Sequence, residues 1–180
     1  MNKAGGRYLH LVVTIPSPKD GQLRPTLQQL TKAFGRLMHS PRLRGLIGGY
    51  VRTVEITRTV LGWHPHIHAL LRVEESYFRS ALYVHHAEWL ELWRDAFNDS
   101  TITNVHISSV MDNEIHSSIM ETSKYISKPA ELLELSLKQL SEYLAAVKGL
   151  RLWSSGGCLK IVEQEPESDS DLIHAADSEP

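Results

Sequence analysis

The chain has 180 residues, enough for one domain with a substantial core, and 42% hydrophobic content with four tryptophans is ordinary for a globular protein. No stretch approaches transmembrane length, and the single cysteine, Cys158, excludes an internal disulfide and a multi-cysteine zinc site. The formal charge is −2, but seven acids crowd residues 163–180 (Glu163, Glu165, Glu167, Asp169, Asp171, Asp177, Glu179); the remaining 14 acids face 19 basic residues, so the body is near +5.

In chain order, residues 1–6 and 163–180 carry too little apolar content to fold and are expected to be disordered, leaving one domain over 7–162. The apolar run after the basic start is short and interrupted by His10 and Thr14, so it reads as a strand over Tyr8–Ile15, stopped by Pro16 and Pro18, rather than as a signal peptide. Leu27, Leu30, Phe34, Leu37 and Met38 recur at helical spacing and predict a helix from about Thr26 to His39. Gly48–Arg58 alternates as a strand. Its parity puts Val51, Thr53, Glu55 and Thr57 on one face and Tyr50, Arg52, Val54, Ile56 and Arg58 on the other.

The next strand buries Ile67, Ala69, Leu71 and Val73, which turns His66 and His68 together toward the opposite face. Two imidazoles at this spacing can share one metal ion, and Glu55 on the neighbouring strand would complete an N,N,O set. Such a set suits Mg²⁺ or Mn²⁺ for phosphate chemistry, and its ligand types also admit Zn²⁺. His64 has the same parity, but Pro65 is expected to break the ladder and leave it a loose outer ligand. An exposed strand face in a chain of ten histidines would look alike. His10, His85, His86, His106 and His116 are read as ordinary histidines.

Farther along, Ala87–Asn98 forms an amphipathic helix around Trp89, Leu90, Trp93 and Phe97, followed by a short strand over Asn104–Val110. A helix from about Asp112 to Ser127 ends near Pro129. Ile115, Ile119, Thr122 and Ile126 form its core stripe, while Glu121, Tyr125 and Lys128 cluster on another face. A carboxylate one turn from a phenol can take its proton or activate water, and a nearby ammonium can stabilise phosphate charge; an exposed face with i, i+4 pairing offers the same residues. A Leu-rich helix is expected from about Ala130 to Lys148, and Leu152–Val162 as a last hairpin or edge strand. The sum is an α+β domain, with helices packed on a mainly antiparallel sheet of about five strands.

Four stretches together resemble the rolling-circle plasmid replication initiators of the HUH endonuclease superfamily: Leu9–Pro16, a strand closing on Thr-Ile-Pro; Gly49–Thr57; Trp63-His-Pro-His-Ile-His-Ala-Leu-Leu71; and Glu121-x-x-x-Tyr125-x-x-Lys128. The resemblance implies a ferredoxin/RRM-related HUH sheet and nicking of single-stranded origin DNA, with Tyr125 as nucleophile. Glu121 would activate water, Lys128 would steady phosphate or tyrosinate, and His66, His68 and Glu55 would hold the divalent metal. Arg52, Arg58, Arg72 and Lys124 are candidates for DNA-backbone contacts. The implied partners are plasmid origin DNA, a host helicase and a host polymerase, in the cytoplasm and away from membranes. Many relatives carry further sequence before the first motif, and the acidic tail has no counterpart there, so origin-specific recognition is not assigned to residues. Other readings are a transposase or mobilisation relaxase of the same superfamily, a non-catalytic DNA-binding remnant, and an unrelated metal-dependent phosphohydrolase.

Overall fold

The computed structural model describes residues 6–79, 81–110 and 132–160. In chain order these form β1 (Gly6–Thr14), α1 (Leu23–Met38), β2 (Ile47–Thr59), β3 (Gly62–Glu74), a short 3₁₀ turn (Glu75–Arg79), α2 (His86–Phe97), β4 (Val105–Val110), α3 (Leu137–Val147) and β5 (Trp153–Gly157). The strands make one five-stranded sheet in the order β4-β1-β3-β2-β5, and every neighbouring pair is antiparallel. The expected α+β architecture is therefore the observed one. Among the described residues, no helix is long and apolar enough to cross a membrane.

Period-two alternation builds the core. Leu9, Leu11 and Val13 of β1 and Ile67, Ala69, Leu71 and Val73 of β3 are all buried and point to the same side of the sheet. They meet Leu27, Leu30 and Phe34 of α1 and Trp89 and Trp93 of α2 in one hydrophobic cluster. The rings of Phe34 and Tyr50 meet edge to face at 5.3 Å, and the Trp93 indole donates to the Thr14 carbonyl at 2.8 Å. α3 joins this side through the Trp63–Tyr143 ring contact at 6.1 Å. Arg24 of α1 also donates to the carbonyls of Ala145, Ala146 and Lys148, satisfying acceptors that the end of α3 leaves open. Leu11 has no exposed surface. Leu11→Ala is accordingly expected to lower the unfolding free energy by about 2–5 kcal/mol in a denaturant titration. A loss well under 1 kcal/mol would contradict this account of the core.

Three boundaries differ from the sequence reading. α1 starts at Leu23, before Thr26, because Pro25 occupies its first turn, where a missing N–H costs nothing. The single helix expected over 130–148 is replaced by α3 starting at Leu137, since Ser136 and Gln139 form a reciprocal capping box that begins a new helix. Pro65 does not break the ladder: β2 and β3 pair continuously through Ile56↔Pro65 and Thr57↔His64. Pairing of β3 with β1 has already ended at Thr14↔His66, so the proline lies where that side of the strand is an edge.

Near the end of the described residues, β5 forms the expected edge strand against β2. Its two glycines are needed for the close approach. A Cβ on Gly156 would lie 2.6 Å from the Tyr50 ring, and one on Gly157, whose φ is +62°, would lie 2.3 Å from the Gly48 carbonyl oxygen. The helix expected over 112–127 lies outside the described residues.

Candidate metal centre

Opposite the helix-covered side, the other face of the sheet carries the polar strand positions. Register brings the metal candidates together: Glu55 of β2 is paired directly with His66 of β3, and Thr53 with His68. On the far side of β3, Thr14 pairs with His66 and Val12 with His68. The three candidate side chains therefore share one face at the centre of the sheet, where neighbouring strands hold them rigidly.

One carboxylate oxygen, Glu55 Oε2, lies 2.6 Å from His66 Nε2 and 2.9 Å from His68 Nε2. Ligand atoms of Glu55, His66 and His68 all fall within 4.8 Å of one another. Glu55 and His68 are buried, at 5% and 7% exposure, and His66 is partly buried. A carboxylate withdrawn from water to this degree requires a compensating positive charge.

The tautomer of His66 sharpens that requirement. Its Nδ1 lies 3.1 Å from the backbone carbonyl oxygen of His64, which only accepts, and the tautomer that keeps this contact carries its proton on Nδ1. Nε2 then turns its lone pair toward the Glu55 oxygen, and two electron-rich atoms at 2.6 Å need either a second proton or a cation between them. The donor set fits a divalent metal ion on this ground. Two ligands of one ion stand roughly 3 Å or more apart, so exchanging protons for a metal would spread these atoms by only a few tenths of an ångström. The ring nitrogen–carbonyl contact is the arrangement that presets a histidine for ligation through its other nitrogen.

His64 takes the outer place. Its ring lies 5.5 Å from that of His66, outside the Glu55–His66–His68 group, and its carbonyl receives the Thr57 hydroxyl at 3.2 Å. Burial, followed by the neighbouring His66, pushes the His64 imidazole below its ordinary pKa and favours the neutral ring.

Two of the histidines read as ordinary stand beside this group. His10 of β1 stacks on His68 with ring centroids 5.7 Å apart and planes at 19°, and His106 of β4 meets His10 edge-on at 6.4 Å. His10 has the same strand parity as Thr14, a usable signal once β1 is known to lie beside β3. His86 instead contacts the Val105 carbonyl at 2.8 Å, and His85 stands at the N-cap of α2, so both serve local structure.

The arginine candidates separate. Arg52 is 4% exposed on the helix-covered side, its guanidinium 5.8 Å from the Phe34 ring and 3.5 Å from the Arg151 carbonyl, and burial lowers its pKa. That position withholds it from a DNA backbone. Arg58 is half-buried over Trp63, at 4.9 Å from the ring. Arg72 is on the histidine face but toward the opposite end of β3, bonded to Glu74 at 3.1 Å. Glu121, Lys124, Tyr125 and Lys128 lie outside the described residues, as does His116.

The sequence profile of a family described as "Replication protein" matches residues 1–180. The chain is similar to "Protein rep" of Lactiplantibacillus plantarum, 32% identical over 97% of this chain and 61% of that protein. It is similar also to "Protein rep" of Streptococcus pneumoniae, 29% identical over 96% of this chain and 57% of that protein. A "Replication protein" of Staphylococcus aureus is 30% identical over 96% of this chain and 81% of its own length. The chain thus spans about three fifths of the first two relatives, at 61% and 57%. No solved structure matches it.

Proposed function

This chain belongs to the replication protein family, and from that premise we propose that it is a plasmid rolling-circle initiator that nicks single-stranded origin DNA. The observation that carries the reading is the convergence of Glu55, His66 and His68 on one buried point, with their ligand atoms within 4.8 Å. A divalent cation held there, Mg²⁺ or Mn²⁺, would supply Lewis-acid polarisation of the scissile phosphate oxygens.

In this reading the Tyr125 oxygen attacks phosphorus as its proton leaves to a base, and the P–O3′ bond breaks. The products are a 5′-phosphotyrosine link and a free 3′-hydroxyl, once the departing oxygen takes up a proton. Lys128 steadies the phosphate or the tyrosinate, and Lys124 and Arg72 contact the DNA backbone. Glu121 activates water in the terminating cleavage, so one tyrosine suffices. Glu121→Ala is then expected to leave first-strand nicking intact while slowing hydrolytic release about a hundredfold or more. Equal loss of both steps in a two-stage oligonucleotide assay would remove Glu121 from that role.

Initiation in the cytoplasm would hand the 3′-hydroxyl to a host polymerase, with a host helicase opening the duplex. Supporting the placement of the nicking domain over 7–162 is the concentration of acid beyond it. A chain ending at residue 162 is expected to cut the same oligonucleotide in the same metal; loss of cutting would bring residues 163–180 into the domain. The related activities of a transposase or a relaxase use the same chemistry on other DNA, and the family descriptions favour replication.

A further inference from the structure

Beyond the metal centre, the described residues contain a cavity of about 470 Å³ at the outer edge of β2, bounded by Thr57, Arg58, Trp63, Glu134, Leu135 and Gln139. We propose that this cavity receives one unstacked base of the single strand that passes the metal centre, and so contributes to sequence selection. The inference rests on the nicking reading for the identity of the polymer and on the cavity for the rest.

The position is set by the sheet. β5 pairs with β2 only as far as Thr53↔Trp153, followed by a Val54 N–H bond to the Leu152 carbonyl, so the outer edge of β2 beyond that point has no strand partner among the described residues. The cavity opens there. Thr57 shares the face of Glu55 two residues away, which is about 7 Å along a strand. Arg58 and Trp63 bound the cavity from the helix-covered side, so a strand with a base in the cavity reaches the metal face by crossing the open edge of β2.

The lining chemistry points to a base rather than a phosphate. Trp63 is only 1% exposed, yet its indole Nε1 is buried without a hydrogen-bond acceptor among the described residues, and so is Arg58 Nη1. Leaving such donors unmade costs about 1–3 kcal/mol each, a cost that an arriving acceptor removes. Glu134 on the same wall would repel a phosphate but accepts an N–H from a base edge. Leu135 supplies an apolar wall, and the Arg58 guanidinium, already lying on the Trp63 ring, offers a plane against which bases stack. Donors, one acceptor and an apolar wall match the edges and face of a nucleobase. The volume falls within the usual range of small-ligand sites.

The test uses the full chain and a randomised pool of single-stranded DNA, bound in EDTA so that no cutting occurs, then eluted and sequenced. Wild-type protein is expected to enrich one base at one position by about five- to a hundredfold. Arg58→Lys, which keeps the charge and the stem over Trp63, and Glu134→Gln, at an exposed position, are expected to lose that preference while keeping the others. Thermal melts confirm that both variants are folded. Identical preferences in all three proteins overturn the proposal. So does a uniform loss of affinity with a salt slope reduced by about one, the signature of a phosphate contact. Adding Mn²⁺ to the enriched sequence separates the two readings. Binding without cutting would defeat the nicking assignment and leave the base site standing, whereas cutting with unchanged preferences would do the reverse.

Discussion

Tyr125→Phe is expected to abolish covalent attachment of the protein to a single-stranded origin oligonucleotide, leaving metal binding and DNA binding in place. Phenylalanine keeps the ring and its packing but has no oxygen to form the phosphodiester link. The effect is therefore loss of a reactant, not a graded reduction of rate. A denaturing gel that resolves the protein–DNA adduct reads it directly. Undiminished adduct in the variant would move the nucleophile elsewhere in the chain. Metal-dependent cutting without any adduct, in both proteins, would instead favour an unrelated phosphohydrolase that uses activated water.

The second large effect belongs to the paired imidazoles. His66→Ala and His68→Ala each remove one of three atoms that converge on one point, and the remaining pair forms an incomplete and more weakly binding site. Loss of Lewis-acid stabilisation is worth several kcal/mol, so cleavage is expected to fall on the order of a hundred- to a thousandfold in either variant. The double variant should be little worse than each single one if, as proposed, both act through one ion. Titration calorimetry with Mn²⁺ checks the binding step independently of DNA. Wild-type affinity in both single variants would show that the ion binds elsewhere. His10→Ala provides a graded comparison: it removes the ring stacked on His68 at 5.7 Å but none of the Glu55, His66 and His68 ligand atoms.

Much of this was legible from residue order alone. Alternation identified the buried face of β3, turned His66 and His68 to its other side, and set Glu55 on the polar face of β2. What alternation cannot give is register. Placing Glu55 directly opposite His66, with His10 stacked beside His68, depends on which residues pair across strands, and a slip of one would have separated them. Arg52 shows the converse error. Its parity already grouped it with Tyr50 and Val54, yet its charge suggested an exposed DNA contact; the structure keeps the parity and buries the guanidinium against Phe34. Long cationic side chains follow backbone alternation and bury their stems before they obey polarity.

Pro65 and Ser136 failed for local reasons. A proline ends a ladder only where its missing N–H is needed, and at Pro65 the strand on that side has already ended. Around Ser136 the leucine spacing continues smoothly on both sides, so periodicity suggested one helix although the Ser-x-x-Gln signature marks a start.

The central claim is that Tyr125 and the Glu55–His66–His68 centre act on one phosphate. The most direct test incubates the protein with single-stranded origin DNA in Mn²⁺ or in EDTA, digests both components, and examines the peptide containing Tyr125 by mass spectrometry. A 5′-linked nucleotide on Tyr125 in Mn²⁺, absent in EDTA and absent in His66→Ala, is the predicted result. Cut DNA in Mn²⁺ with Tyr125 unmodified would contradict it.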